Sequence, residues 1–120
     1  MFNKLDYVMV TVSDMDRSVE FYRDKLGIPL KSQAPRWSEF QTAGTTLALH
    51  GGGTPQQPPS NQACTFGFSV PNLDQTFADL TAKGVRFVVP PMVQEAQGIK
   101  LAVCIDPDGL TISFAEAIKK

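Results

Sequence analysis

The chain reads as an α+β protein built from two βαβββ modules, and three observations lead there. Residues Tyr7 to Asp16 can be laid over Thr65 to Asp74 at a constant offset, and the match runs down both following helices to Gly27 and Gly84 with one residue of slippage. A second pair of segments, Gly44 to Leu49 and Gly109 to Phe114, repeats in the same way. Within each copy the apolar pattern alternates, then turns helical, then alternates again. Self-similarity of this kind marks a duplicated structural unit.

Each element has its own local reason. Val8, Val10 and Val12 alternate with Tyr7, Met9 and Thr11, which predicts a two-faced strand with the valines toward the core. Asp14 or Asp16 is placed to cap the helix carrying Val19, Phe21, Tyr22 and Leu26, and Gly27 to stop it. Three short strands follow, near 29–33, 36–42 and 45–50. In the second copy Phe66, Phe68 and Val70 form the core side of the first strand. Asn72 or Asp74 takes the cap, Phe77 and Leu80 the buried helix face and Gly84 the stop. Strands near 85–89, 99–105 and 110–115 complete it, the last two joined by the turn Asp106-Pro107-Asp108-Gly109, in which proline presets φ and glycine accepts a positive one. The boundaries are module one at 1–50, a spacer at 51–62 and module two at 63–120. The spacer holds three glycines and then three prolines, so it reads as a flexible hinge running into a stiffer extended segment.

At 120 residues the chain has the size of one domain, able to bury roughly two thirds of its unfolded surface without a disulfide or a metal. Eleven basic and twelve acidic side chains without a run of like charge give no footprint for nucleic acid or an anionic membrane. No apolar run reaches the roughly 18 residues a membrane span needs, and the N-terminus does not read as a signal peptide. A cytoplasmic protein with a small-molecule partner is expected, and Cys64 and Cys104 are expected as free thiols.

The strand followed by Ser13-Asp14-Met15-Asp16-Arg17-Ser18-Val19-Glu20-Phe21-Tyr22 and Leu26-Gly27, together with Gly98 and the Asp106-Pro107-Asp108-Gly109 turn, resembles the vicinal oxygen chelate superfamily of glyoxalase I, extradiol dioxygenases and the fosfomycin and bleomycin resistance proteins. The resemblance spans essentially the whole chain. It implies two modules related by a pseudo-twofold, forming a cupped mixed sheet around a site, often completed by a second chain, so a homodimer is expected. It also implies where a divalent metal would be held in the enzymes. The matching positions are Tyr7, Ala48, Thr65 and Ser113, of which Ala48 has no donor atom and the other three offer only neutral hydroxyls. No metal and no other cofactor is expected.

Strand parity describes the cup. With Val8, Val10, Leu47, Leu49, Phe66, Phe68, Ile112 and Phe114 toward the helices, the other face carries Tyr7, Met9, Thr11, Thr46, Ala48, His50, Thr65, Gly67, Ser69, Thr111 and Ser113. From these, Tyr7, Met9, Ala48, His50, Thr65, Gly67 and Ser113 are the candidate ligand-binding residues. Most are small and none is an acid, so an open pocket with apolar and hydroxyl contacts is expected. Alternatively the face is filled by Trp37, Phe40, Met92 or a partner chain. His50, the one histidine, shares a face with Ala48 and is the weak catalytic candidate, by proton transfer or as a lone ligand with Glu39 or Glu116. The same counting puts Cys64 toward the helices and Cys104 toward the cup, which opposes a disulfide and leaves His50 as the base that Cys104 would need as a nucleophile.

Three functions follow. The first is a metal-free binding protein of the bleomycin-resistance type that sequesters a small, partly aromatic ligand. The alternative is a glyoxalase-like lyase or isomerase, or a dioxygenase, with a shifted metal site around His50 or metal-independent acid/base chemistry by His50 and Tyr7. The third is a non-catalytic regulatory or structural dimer.

Overall fold

A computed structural model of the protein describes residues 2–53 and 65–118. The chain divides into two compact units, Met1–Pro55 and Gln56–Lys120. Both are βαβββ modules with a four-stranded mixed sheet and one main helix.

In the first unit β1 (Tyr7–Val12) leads into α1 (Met15–Glu20), which continues as a π-helical segment over Phe21–Lys25. Then come β2 (Leu30–Ser32), β3 (Trp37–Phe40) and β4 (Thr46–Gly51). Asp14, not Asp16, is the N-cap, its carboxylate accepting the Arg17 N–H at 3.1 Å. The strands lie in the order β1-β4-β3-β2, with β1 and β4 parallel and the others antiparallel. Val10, Val12, Leu47, Leu49 and Phe40 are buried on the helix-covered face along with Val19, Phe21, Tyr22 and Ile28. Tyr22 meets Phe40 at 5.8 Å between ring centroids, and the buried Ser38 hydroxyl donates to the Met15 sulfur at 3.3 Å. Each such apolar side chain contributes roughly 1.5–3 kcal/mol on burial, which is what fixes the helix to this side of the sheet.

The second unit repeats the plan with β5 (Phe66–Ser69), α2 (Leu73–Ala82), β6 (Arg86–Gln94), a 3₁₀ turn at Glu95–Gln97, β7 (Ile99–Ile105) and β8 (Thr111–Ala117), in the order β5-β8-β7-β6. Asn72 caps α2 by accepting the Gln75 N–H at 3.1 Å, and the Glu116 carboxylate takes the Leu73 N–H at 2.6 Å. Gly27 and Gly84 follow the two helical segments at φ of 76° and 87°, the left-handed geometry that ends a helix cheaply only at glycine. The core holds Ile112, Phe114, Ala102 and Leu80, extended by Phe77, which meets Phe87 at 4.8 Å; Phe87 in turn meets Phe114 at 6.2 Å.

Three sequence expectations need correction. β6 runs to Gln94, well past residue 89, straight through Pro90 and Pro91. Proline argues against a strand because it removes a ladder donor, but β6 is an edge strand, and its pairing with β7 shifts register on either side of Val89. The start of the spacer is also more regular than a hinge of glycines suggests. Gly51 closes β4, and the Gly53 N–H donates to the Val12 carbonyl at 2.9 Å. The rest of the spacer, with Cys64, lies outside the described residues. Third, Cys104 faces the core. The turn at residues 106–109 sets Ile105 opposite Thr111, so Cys104 falls opposite Ile112 and Val103 opposite Ser113. Side chains alternate with a two-residue period, so the face of a β7 residue is fixed by its partner on β8 and not by counting along β7 alone.

Candidate functional site

On the first unit the face turned away from α1 is built from alternate residues of three strands. β1 supplies Tyr7 and Met9, which are 55% and 49% exposed; the intervening Val10 and the next core residue Val12 are buried. β4 supplies Thr46, Ala48 and His50, and β3 supplies Trp37 and Glu39, because Trp37 stands opposite His50 and Glu39 opposite Ala48. Phe40, considered above as a filler of this face, belongs to the opposite one and is fully buried against Tyr22.

The centre of the face differs from the open floor that the small residues suggest. Tyr7 and Trp37 meet edge to face at 6.2 Å, although they stand on β1 and β3 with β4 between them. Their contact therefore passes over β4, and Ala48, in register with Met9 on one side and Glu39 on the other, is completely buried. A methyl group leaves room for the two rings to meet over the strand, where a longer side chain would stand between them. Trp37 also meets His50 edge-on at 6.2 Å. Its indole N–H donates to Glu39 Oε2 at 2.8 Å, and the Lys31 ammonium stands 3.8 Å from Glu39 Oε1. The face thus does carry an acid. Sequence parity would have found Glu39 had β3 been registered against β4, since Ser38 and Phe40 are the core pair of that strand.

In the second unit Gly67 and Ser113 are direct neighbours across the parallel β5–β8 pair, and Thr65 lies exposed just before β5. A Cβ on Gly67 would run into the Ser113 hydroxyl and come within 2.8 Å of the Ser113 carbonyl oxygen, so this pair is closely fitted and offers no depth for a ligand there. The register adds Leu101, Val103 and Ala115 to the same side as Ser113, with Met92, 47% exposed, opposite Leu101. Met92 is thus on the face that the sequence offers it for, whereas Leu101 and Val103 come to it only through the register of β7 against β8.

The chemistry available is limited. Cys104 is fully buried among Ile112, Phe87 and Phe114, and desolvation, assisted by the nearby Asp106 charge, pushes its thiol up to about 12. Such a thiol is a core residue and not a nucleophile. Asp106 serves the turn, its Oδ1 accepting the Asp108 and Leu110 N–H groups at 2.9 Å each. Among the described residues no group of three or more His, Cys, Asp or Glu side chains is arranged to hold a metal ion. The donor set at the family positions agrees: Ala48 has no donor atom and is covered, and Tyr7 offers a neutral phenol, so the residues present do not fit a divalent ion.

The fold can now be placed among known proteins. The family model described as the glyoxalase/bleomycin resistance protein/dioxygenase superfamily matches residues 4–114, and the chain belongs to that superfamily. It is similar to YraH of Bacillus subtilis (strain 168), an uncharacterized protein, at 26% identity over 117 residues that cover 88% of this chain and 91% of YraH. Among solved structures, a glyoxalase/bleomycin resistance protein/dioxygenase from Nocardioides superposes with a TM-score of 0.80 at 20% identity, covering 99% of this chain and 86% of the other. TioX from Micromonospora sp. ML1 superposes with a TM-score of 0.77 at 20% identity, over 97% and 100% of the two chains. At these identities the likeness to solved structures speaks for the fold alone. No helix among the described residues is long and apolar enough to cross a membrane.

Proposed function

We propose that the protein is a metal-free small-molecule binding protein of the bleomycin-resistance type, and that it holds a small, partly aromatic ligand. The observation that carries this reading is the aromatic corner of Tyr7, Trp37 and His50 around Met9 and the buried Ala48, standing where the superfamily's enzymes would need metal donors. Edge-on aromatic pairs present ring faces outward, and stacking against such faces adds roughly 0.5–1.5 kcal/mol to simple burial. Thr65, Gly67 and Ser113 are the second module's contact residues, a shallow surface flanked by the apolar Leu101 and Val103, and the working form is a homodimer. His50 contributes a contact.

A thermal-shift screen of aromatic metabolites and drug-like heteroaromatics tests the proposal, because a ligand that binds only the folded chain raises stability by RT ln(1 + [L]/Kd). A tight ligand whose effect disappears in Trp37→Ala is the expected result. Stoichiometric Zn, Ni, Fe or Mn by elemental analysis of protein purified without chelator, retained through His50, would overturn it in favour of the metalloenzyme.

A further inference from the structure

We propose that Glu39 makes the first module's face selective for cationic aromatics: the ligand it takes is a planar ring system bearing a positively charged nitrogen. This rests on the binding function proposed above and adds the ligand's charge to it.

Among the described residues that strand parity places on this face, Glu39 is the one acid, set between uncharged Tyr7, Trp37 and Ala48. Its carboxylate is held in place. One oxygen accepts the Trp37 indole N–H at 2.8 Å, so a negative charge and a π surface are fixed side by side at a spacing the protein determines. The other oxygen faces Lys31 at 3.8 Å, beyond hydrogen-bonding distance, and the Lys31 side chain is 61% exposed against 30% for Glu39. An ion pair of that geometry is worth little, and the lysine's flexible stem lets it give way to a better-placed cation.

Both parts of the site favour the same charge. Indole and phenol faces attract cations through their quadrupoles, most strongly when water is excluded. A part-buried carboxylate interacts more strongly than one in bulk water. A neutral aromatic laid on the same corner would bury the Glu39 carboxylate further without pairing it, which costs free energy. The arrangement therefore rewards a cation and penalises its neutral counterpart. His50, the strand partner of Trp37, meets the indole edge-on and carries no negative charge to compete.

The chain has one tryptophan, so the indole N–H gives a single amide-region NMR signal that reports directly on this contact. Titrating the intact protein at pH 8 with 1-methylquinolinium, and separately with uncharged quinoline, reads the two affinities from that signal. At least a tenfold preference for the quinolinium is expected. Glu39→Gln keeps an acceptor for the indole while removing the charge, and should reduce the preference to threefold or less, by weaker quinolinium binding together with tighter quinoline binding; Lys31→Ala should strengthen quinolinium binding. Equal affinities in the natural protein, or a preference that survives in Glu39→Gln, overturns the charge selection while leaving aromatic binding standing. No shift of the signal with either probe up to 10 mM removes the binding function itself.

Discussion

Ala48 shows how one small residue sets the character of the first module's face. Because it lies buried where Tyr7 and Trp37 meet across β4, Ala48→Phe does not project into empty space. It displaces the indole, and we expect a loss of roughly 1–3 kcal/mol from overpacking together with a changed Trp37 fluorescence spectrum. Unaltered stability and spectrum in denaturant titrations would place Trp37 elsewhere. His50→Ala removes an edge contact and any hydrogen bond, at a cost of at most about 1–2 kcal/mol in ligand affinity, checked by calorimetry. Loss of turnover in that variant, if a reaction is found, would instead favour the enzyme alternative. Cys104 carries a pH signature. Its thiol ionises near 9 when unfolded and only at about 12 when folded, so above pH 9 the unfolded chain binds fewer protons than the native one. Stability from this group is complete below pH 9 and is lost as pH rises toward 12. The alkaline decline measured by urea unfolding should be shallower in Cys104→Ala than in the natural chain.

The strands and helices are held by local fits that substitutions can probe separately. Gly67→Ala brings a Cβ against the Ser113 hydroxyl and carbonyl, forcing β5 and β8 apart. A loss of roughly 1–3 kcal/mol is expected. Ser113→Gly in the same chain should recover only part of it, since the carbonyl contact at 2.8 Å remains; a double-mutant cycle by thermal unfolding measures the share. The helix caps are independent of that pair. Asn72→Ala deprives the Gln75 N–H of its partner and should cost about 1 kcal/mol, and Asp14→Ala a similar amount through the Arg17 N–H. β6 illustrates a rule that holds only in context. Pro90 and Pro91 would break a central strand, yet on an edge they fall in the irregularity between Val89 and Met92, where the ladder with β7 shifts register, and they discourage pairing by other chains.

At the scale of the whole molecule, exposed apolar residues outside the aromatic corner stand on both units: Phe2 and Leu5 on one, Met92 and Val93 on the other. We expect these to be covered in a homodimer, so light scattering at micromolar concentration should give twice the 13.1 kDa chain mass. A monomer would leave the dimeric part of the proposal without support. The duplicated fold was legible in the chain itself, because the repeat, the Asp14 and Asn72 caps, the glycine stops and the turn at residues 106–109 are short-range signals whose physics is complete within a few residues. The absence of metal-binding side chains at Tyr7 and Ala48 was legible too, since it depends only on residue type. Three features were not. The burial of Ala48, the presence of Glu39 on the aromatic face and the inward turn of Cys104 depend on which residue of a neighbouring strand stands opposite. Pairing register joins positions far apart in sequence, and a one-residue change in it exchanges the two faces of a strand, so only the assembled sheet decides it.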